Sequence, residues 1–541
     1  MARERWGSKL GVILAVAGSA VGLGNFLRFP GLAAHYGGGA FMIPYFISFL
    51  LLGLPLMWVE WTIGRFGGGF EHSTAPGIFH TMWRKNRFIK YFGVIGIFGP
   101  IVIFSYYTYI ESWLLGYSVF AVTGQYTGCT DAAQMGEFLA GYQGEMGNPY
   151  FHGIGTAYLF FIITFAVNII VVSFGISRGI ERFCKWVLPL LFLIAIVLVV
   201  RVLMLRPPDP AHPENSIING LGFIWNPDWS ALRQSEVWLA AAGQVFFTLS
   251  VGFGSILAYA SYLTKNDDVA LSGLTAAATN EMTEVVLAGS MVIPAAFVFM
   301  GSAGIEQMTA KGGGSIFDLG FITMPLVLQQ MAGGQFFGFL WFFLLFIAGV
   351  TSSISLALPA IAFLEDEFNL SRREASIIFA AVTFVLCQPV IFFLGNGVVD
   401  EMDFWGTSVC VVIFATIEAV MFGWVFGMDK AWKELHAGSD IRIPGIFRFI
   451  IKYITPLMLL TIIGFWLLDK ENGWLRKIRM TDVDPANHSF VIMARIGLLG
   501  LLVFLALMVW IVWKRRSDDV PNTDLVAEAL KTEAPETEME Q

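Results

Sequence analysis

Charged residues are scarce in this chain. Only 14% of its 541 residues are Asp, Glu, Lys or Arg, against about 25% in soluble domains, which excludes an ordinary water-soluble protein. The other residues form apolar runs that recur along the chain, and about 20 such residues span a bilayer as a helix. We therefore expect an all-α polytopic membrane protein with twelve transmembrane helices. The runs are 9–34, 40–65, 88–123, 154–174, 182–205, 237–262, 271–301, 334–364, 374–395, 399–427, 446–468 and 489–513.

Residues for metal or nucleotide chemistry are also few or scattered. The four cysteines and seven histidines show neither metal-ligand spacing nor a disulfide framework. No Walker lysine motif, protein-kinase motif set or Gly-x-Ser-x-Gly elbow occurs. We therefore expect neither an enzyme nor a pump driven by ATP through this chain alone, and no nucleic-acid partner.

Lysine and arginine fall mostly in alternate loops, which places both termini in the cytoplasm. The last outer loop, with Lys470, Arg476, Lys477 and Arg479, is the exception. From Ser517 to Gln541 there are eight acidic residues and one lysine, which predicts a disordered, solvated tail. The predicted divisions are a cytoplasmic N-terminus (1–8), a first repeat of five helices (9–205), an extracellular loop (206–236), a second repeat (237–427), helices 11 and 12 (446–513) and the acidic tail (514–541).

One four-residue pattern occurs twice inside apolar runs. "VGLG" spans 21–24 and "VGFG" spans 251–254. A lone Gly-x-Gly is more often a site of close helix packing, but two matching ones beside Ser, Thr or Asn favour broken helices that line a polar cavity. An odd number of spans separates them, so the two groups of five helices enter the membrane from opposite sides. This predicts a five-plus-five inverted repeat with helices 1 and 6 broken at mid-membrane.

Polar side chains inside these runs are costly and therefore candidates for function. Asn25 and Thr248 adjoin the two patterns, Asn280 and Glu284 share a helix face, and hydroxyls cluster at 351–353. Individually, hydroxyls often only bond their own helix. Together, neutral oxygens with at most one carboxylate suit a monovalent cation such as Na⁺ better than Mg²⁺ or Ca²⁺. The residues alone leave open whether the protein is ion-coupled or ion-conducting.

Seven motifs, in the same order along the chain, resemble those of a known family. The chain resembles the neurotransmitter:sodium symporter family, especially its bacterial members, which implies that fold, two Na⁺ sites and an occluded amino-acid site at the breaks. The motifs are "GNFLRFP" (24–30), "GGGAFMIPY" (37–45), "FFTLSVGFG" (246–254), "SGLTAAATNE" (272–281), "GFLWFFLLFIAG" (338–349), "TSSIS" (351–355) and "DEMDFW" (400–405).

The resemblance implies particular ligands for each Na⁺. The first ion would be held by the Ala20 carbonyl, by Asn25, Thr248 and Asn280, and by the substrate carboxylate. The second would be held by carbonyls of Gly18, Val21 and Ala348 and hydroxyls of Thr351 and Ser352.

The resemblance also implies the amino-acid site. Its residues are apolar or neutral, which disfavours charged side chains and favours a leucine-like one, with aromatic or small neutral substrates as the alternative. Ile103, Leu356 and Ser19 depart from the family pattern, and one methylene can change selectivity about 10–200-fold. The implied residues are Ala20, Leu23, Gly24, Ile103, Tyr107, Phe247, Thr248, Ser250, Phe253, Ser352 and Leu356.

Gates and a fixed charge complete the prediction. Tyr107 and Phe247 would close a thin outer gate. Glu284 stands where chloride-dependent relatives have a neutral residue, which implies that no chloride is required. The remaining gate residues are Arg28, Asp403 and Gln244 outside, and Arg3, Trp6, Tyr262 and Asp366 inside.

The function expected from the sequence is a sodium-coupled symporter working by alternating access. A non-transporting amino-acid sensor of the same fold is the alternative. The expected location is a cell membrane, namely a bacterial inner membrane, with lipid as the surrounding partner; a homodimer is left open.

Overall fold

The computed structural model describes residues 4–309, 318–469 and 473–518, and this part of the chain is helical. Within these residues, ten helices are long and apolar enough to cross a membrane, and an eleventh span is a pair of helices bent by 46°. We label the spans α1 (Lys9–Ala20 with Gly24–His35), α2 (Gly39–Gly68), α3 (Ile89–Thr123), α4 (Gly155–Ser173), α5 (Ile176–Leu203), α6 (Ser235–Leu249 with Ser255–Ala260), α7 (Val269–Ile305), α8 (Gly334–Phe368), α9 (Arg372–Phe392), α10 (Val398–Val425), α11 (Ile446–Leu468) and α12 (Pro485–Arg515).

The twelfth span, α6, consists of two pieces of 15 and 6 residues. Neither piece could cross a bilayer alone, because about 20 helical residues are needed. The chain between them, 250–254, contains three residues with positive φ, Ser250, Gly252 and Gly254. α1 and α6 are thus the two spans broken at mid-length, at the two positions where the repeated glycine pattern predicts breaks.

The centre of the bundle is formed by α3 and α8. In each, 78% of the apolar segment is buried, whereas in α11 and α12 only 28% is. A Cβ added at Gly349 of α8 would lie 2.8 Å from Cγ of Glu111 in α3, so these helices approach closely. The outermost helices present leucine, isoleucine and phenylalanine to the surroundings, as a surface solvated by lipid requires.

Several spans contain a turn of π-helix, which holds one more residue per turn than an α-helix. One such turn, Gly24–Arg28, follows the break in α1, and another, Met282–Ala288, lies in the middle of α7. π-turns are frequent at functional sites. The turn in α7 carries Glu284.

Several predicted boundaries differ from the structure by a few residues. α5 begins at Ile176 rather than 182, because a π-turn, Ile176–Glu181, precedes its regular part. The last helix continues to Asp518, past the predicted end at 513. Three predicted loops contain short helices, Ala132–Gln143, Ile217–Trp225 and Leu319–Gln329. Residues 519–541 of the acidic tail, and Arg3, lie outside the described residues.

Candidate functional site

The break in α1 frees backbone carbonyls. The helix ends at Ala20, and Val21 is extended (φ −74°, ψ 94°), so the last carbonyls lose their intrahelical partners. The Ser19 carbonyl instead accepts from hydroxyls of other helices. Beyond the break, the Gly22 amide donates to Oδ1 of Asn25 at 2.8 Å. The Gly22 amide therefore finds its acceptor three residues later in the same segment.

The break in α6 is built differently. Gly252 and Gly254 have φ of 79° and 76°, a region that glycine enters at no steric cost. A Cβ at Gly252 would lie 2.6 Å from the Val411 carbonyl oxygen, so a larger residue is also excluded by space. The freed Gly252 amide donates to Glu60 of α2 at 2.5 Å.

Four residues predicted for the first Na⁺ come together between the breaks. The Asn25 amide donates to Oγ1 of Thr248 at 2.9 Å and to Oδ1 of Asn280 at 2.8 Å. That Oδ1 position lies 3.2 Å from the carbonyl oxygens of Ala20 and Thr248. With the amide oxygen there, three oxygens converge and the Asn25 amide is a donor to one of them, which fits a monovalent cation. With the amide flipped, its NH₂ donates to both carbonyls. All three side chains are essentially inaccessible to solvent.

The hydroxyls predicted for the second Na⁺ lie against the same break. Thr351 donates to the Ala348 carbonyl at 2.9 Å, and Ser352 lies 3.2 Å from that carbonyl and 3.1 Å from the Ser19 carbonyl. A Cβ at Gly18 would be 3.3 Å from Cβ of Thr351, so α1 touches α8 here. Val21, the fifth predicted ligand, is fully buried in the break.

A buried carboxylate adjoins the first of these clusters. Glu284 accepts from Tyr45 at 2.7 Å, from Thr248 at 2.5 Å and from the Gln244 amide. Its three partners are neutral donors, so their hydrogen bonds would stabilise a negative charge on Glu284. The Thr248 hydroxyl, which also contacts Asn25, lies between that charge and Asn25. Gln244, predicted for the outer gate, is fully buried and faces Glu284.

A cavity of about 280 Å³ opens beside the two breaks. Side chains of α1, α3, α6, α8 and α10 line it, and this volume is at the small end for ligand pockets. Thr248 lies behind the wall, in the Asn25 cluster. The other ten residues predicted for the amino acid all line the cavity: Ala20, Leu23, Gly24, Ile103, Tyr107, Phe247, Ser250, Phe253, Ser352 and Leu356.

The two ends of this cavity differ in closure. At one end Arg28 and Asp403 line the wall, but in the described part of the chain they form no ion pair within 4.0 Å. The Arg28 guanidinium lies over the Phe247 ring at 5.0 Å, and Asp403 accepts from Tyr106 at 2.7 Å.

The opposite end is packed shut. Trp6 donates to the Tyr259 carbonyl at 2.9 Å and contacts its ring edge-on. Asp366 accepts from the Ser73 amide at 2.7 Å, and Tyr262 is buried nearby. Access from the Arg28 end is therefore less obstructed than access from the Trp6 end.

Sequence reasoning missed several polar residues of the wall. Ser19 had no predicted role, yet its hydroxyl lies 2.6 Å from that of Ser355 on α8. The spacing of Ser352, Ser355 and Leu356, at i, i+3 and i+4, could have revealed Ser355, because such residues share a helix face. The α10 residues had no comparable signal. The further lining residues are Tyr106, Ile110, Val399, Asp400, Thr407 and Ser408.

Known proteins share this architecture. The family model described as the sodium:neurotransmitter symporter family matches residues 3–139 and 134–507. An uncharacterised sodium-dependent transporter of Methanocaldococcus jannaschii is 31% identical over 491 residues, covering 87% of this chain and 91% of that protein. Another from Haemophilus influenzae is 30% identical over 478 residues, covering 85% and 97%.

A solved structure agrees with the fold. The crystal structure of MhsT in complex with L-phenylalanine has a TM-score of 0.72 and 30% identity, covering 86% of this chain and 99% of that one. The likeness confirms the predicted fold class, with twelve spans and two broken helices. Together with the match of the family model over most of the chain, it establishes that this protein is a member of the sodium:neurotransmitter symporter family.

Proposed function

We propose that the protein is a sodium-coupled symporter that takes up a neutral, hydrophobic amino acid by alternating access. The observation that carries the proposal is the contact between the Asn25–Thr248–Asn280 cluster and the cavity at the two breaks. The cavity is walled by Ile103, Phe253 and Leu356, which suits leucine-like and aromatic side chains. MhsT, which has this fold, holds L-phenylalanine in its crystal structure.

In this proposal the amino acid is fixed at both of its charged groups. Its carboxylate meets the Leu23 and Gly24 amides and the Tyr107 hydroxyl, and it completes the first Na⁺ site. Its ammonium meets the Ala20, Phe247 and Thr248 carbonyls and the Ser250 hydroxyl. Because ion and substrate share a contact, each raises the affinity of the other by the same factor.

The second Na⁺ ties α1 to α8, through Gly18 and Val21 on one side and Ala348, Thr351 and Ser352 on the other. Its release would separate the two helices where Gly18 approaches Thr351. In this proposal the outer gate consists of Arg28, Asp403, Gln244, Tyr107 and Phe247. The inner gate consists of Arg3, Trp6, Tyr262 and Asp366. Both termini are then cytoplasmic, in a bacterial inner membrane.

Glu284 supplies the fixed negative charge of the proposal, so transport needs no chloride. Its contact with Thr248 places that charge beside the first Na⁺ site. Uptake by the wild-type protein should be equal in chloride and gluconate. In Glu284→Ser, chloride should increase uptake; equal chloride stimulation in both proteins would contradict this role.

The test of the whole proposal is uptake into proteoliposomes. Radiolabelled leucine and phenylalanine should accumulate with external Na⁺ and not when choline replaces it. Uptake that is indifferent to this replacement would refute sodium coupling. Na⁺-dependent binding without accumulation would favour the sensor. Mass photometry of the purified protein tests whether it forms the homodimer that the proposal includes.

A further inference from the structure

A pair of hydroxyls forms part of the cavity wall. Ser352, Ser355 and Leu356 lie on one face of α8 and all line the cavity. Opposite them, Ser19 in the last turn of α1 brings its Oγ to 2.6 Å from Oγ of Ser355. Both serines are about 2% exposed and line the cavity, so their hydroxyls are polar groups in a mainly apolar cavity.

A count of protons assigns the donor in this pair. The Ser355 hydroxyl donates to the carbonyl of Ser352 at 2.7 Å. Each serine has one proton, so Ser19 is the donor to Ser355. In the described part of the chain no donor is directed at Oγ of Ser19, a residue that lines the cavity, so the oxygen keeps its capacity to accept.

An acceptor in such a place discriminates between ligands. A buried acceptor that a ligand leaves without a partner costs more than the hydrogen bond would have contributed. Sites that bond a ligand's donor therefore reject an analogue of equal shape that lacks it. The walls around the pair, from Ile103, Phe253 and Leu356, would accept either analogue equally by shape.

We infer that Ser19 accepts a hydrogen bond from the side chain of the bound amino acid, so that a neutral side chain with an N–H or O–H donor binds more tightly than its isostere without one. This inference rests on the proposed function and refines its substrate class. An indole N–H suits the position because it is a donor only, while its ring packs on apolar walls. Asparagine and glutamine also bring an acceptor, for which Ser19 has no remaining proton.

Matched ligands test the inference in the purified full-length protein. Competition binding in Na⁺ compares tryptophan with 3-(3-benzothienyl)alanine, in which sulfur replaces the N–H, and threonine with valine. We expect the donor-bearing ligand of each pair to bind about 5-fold more tightly, from one hydrogen bond of ordinary net strength. In Ser19→Ala both ratios should fall to about 1.

Two further variants keep the test decisive. Ser105→Ala removes a buried hydroxyl of α3 that donates to the Ile101 carbonyl at 2.8 Å and does not line the cavity; it should retain the wild-type ratios. Ser19→Cys keeps a side chain of similar size but offers sulfur, a weak acceptor, so the ratios should fall even if Ser19→Ala does not fold.

The outcomes separate the inference from the function. Equal binding within both pairs by the wild type overturns the inference and leaves the proposed symporter intact. Ratios that persist in Ser19→Ala overturn the assignment to this residue. If none of the four ligands shows Na⁺-dependent binding, and leucine shows none either, the proposed function itself fails.

Discussion

The two breaks share a four-residue pattern but use glycine for different purposes. In α6, Gly252 and Gly254 are needed for backbone conformation, since both have positive φ. In α1, Gly22 and Gly24 do not have positive φ and are needed for space. A Cβ at Gly24 would lie 2.5 Å from the Phe247 ring, and one at Gly22 would lie 2.8 Å from Oγ of Ser352. A repeated motif therefore does not guarantee a repeated backbone conformation.

The breaks also differ in what stabilises them. The Gly22 amide is satisfied by Asn25 of the same segment, whereas the Gly252 amide is satisfied by Glu60 of α2. The α1 break thus supplies the acceptor for its own amide, and Asn25 in turn bonds α6 and α7. The α6 break is tied to a neighbouring helix, and the comparison teaches that equivalent elements of a repeat can be stabilised in different ways.

The largest effect should come from Gly252→Ala. Left-handed backbone costs alanine about 1–2 kcal/mol, and the close Val411 carbonyl adds to this, giving a loss of about 2–4 kcal/mol of stability. Gly22→Ala should cost less, because its nearest neighbour is the end of the Ser352 side chain. Melting temperatures of both variants measure the difference. A lower melting temperature for Gly22→Ala than for Gly252→Ala would contradict the distinction.

Removal of the tie to α2 should come second. Glu60→Ala leaves the buried Gly252 amide without an acceptor, at about 1–3 kcal/mol. Glu60→Gln keeps an amide oxygen in that place and should recover most of the loss. Thermal unfolding of the two variants in the same detergent is the measurement, and equal destabilisation would show that the hydrogen bond is not what matters.

Asn25→Ala tests the role of the acceptor at the α1 break. It removes both the Gly22 amide's acceptor and a ligand of the proposed Na⁺ site. The Na⁺ concentration for half-maximal amino-acid binding should rise about 10-fold or more, as loss of a supporting group does at other metal sites. Asn396→Ala, which removes a hydrogen bond to Asn487 at a residue that does not line the cavity, should leave it unchanged. An Asn25→Ala protein with wild-type Na⁺ dependence would argue against this site.

The smallest effect should follow from Lys9→Ala at the start of α1. Lys9 pairs with Asp440 at 2.8 Å and with Asp268 at 3.7 Å, and the Asp440 side chain is 67% exposed. The exposed pair with Asp440 contributes about 0–1 kcal/mol. Asp268 is buried, but it also accepts from the Leu271 and Asp440 amides, which remain in the variant. The melting temperature should therefore hardly change. A large decrease would mean that α1 is anchored here rather than at its break.

The spans and the breaks could be predicted because apolar runs and mid-membrane glycines are local signals, whereas the residues of the cavity wall were implied only by the family resemblance. The sequence did not predict which neighbour Gln244 would face. The amide contacts Glu284 inside the bundle, and only the packing of α6 on α7 decides that. The separation of Arg28 from Asp403 could not be predicted from the sequence either, because it depends on which conformation the gates adopt.

Ser19 illustrates the other limit. As a single departure from a family pattern, it could be noticed but not interpreted, because its partner lies 336 residues away on α8. The helical spacing of Ser352 and Ser355 narrows the choice of partner but does not select α1 as the facing helix. That selection comes from the approach of Gly18 to Thr351 one residue earlier.

The π-turn Met282–Ala288 in α7 has a consequence for insertions and deletions. Removing one residue from this turn would restore an α-helix there, and each residue corresponds to about 100° of rotation. Asn280 lies before the turn and Pro294 lies after it, so the deletion would rotate one end of α7 relative to the other. The helix could then not both reach Asn25 and keep its close approach to Gly220. The length of this heptapeptide therefore sets how the two ends of α7 pack.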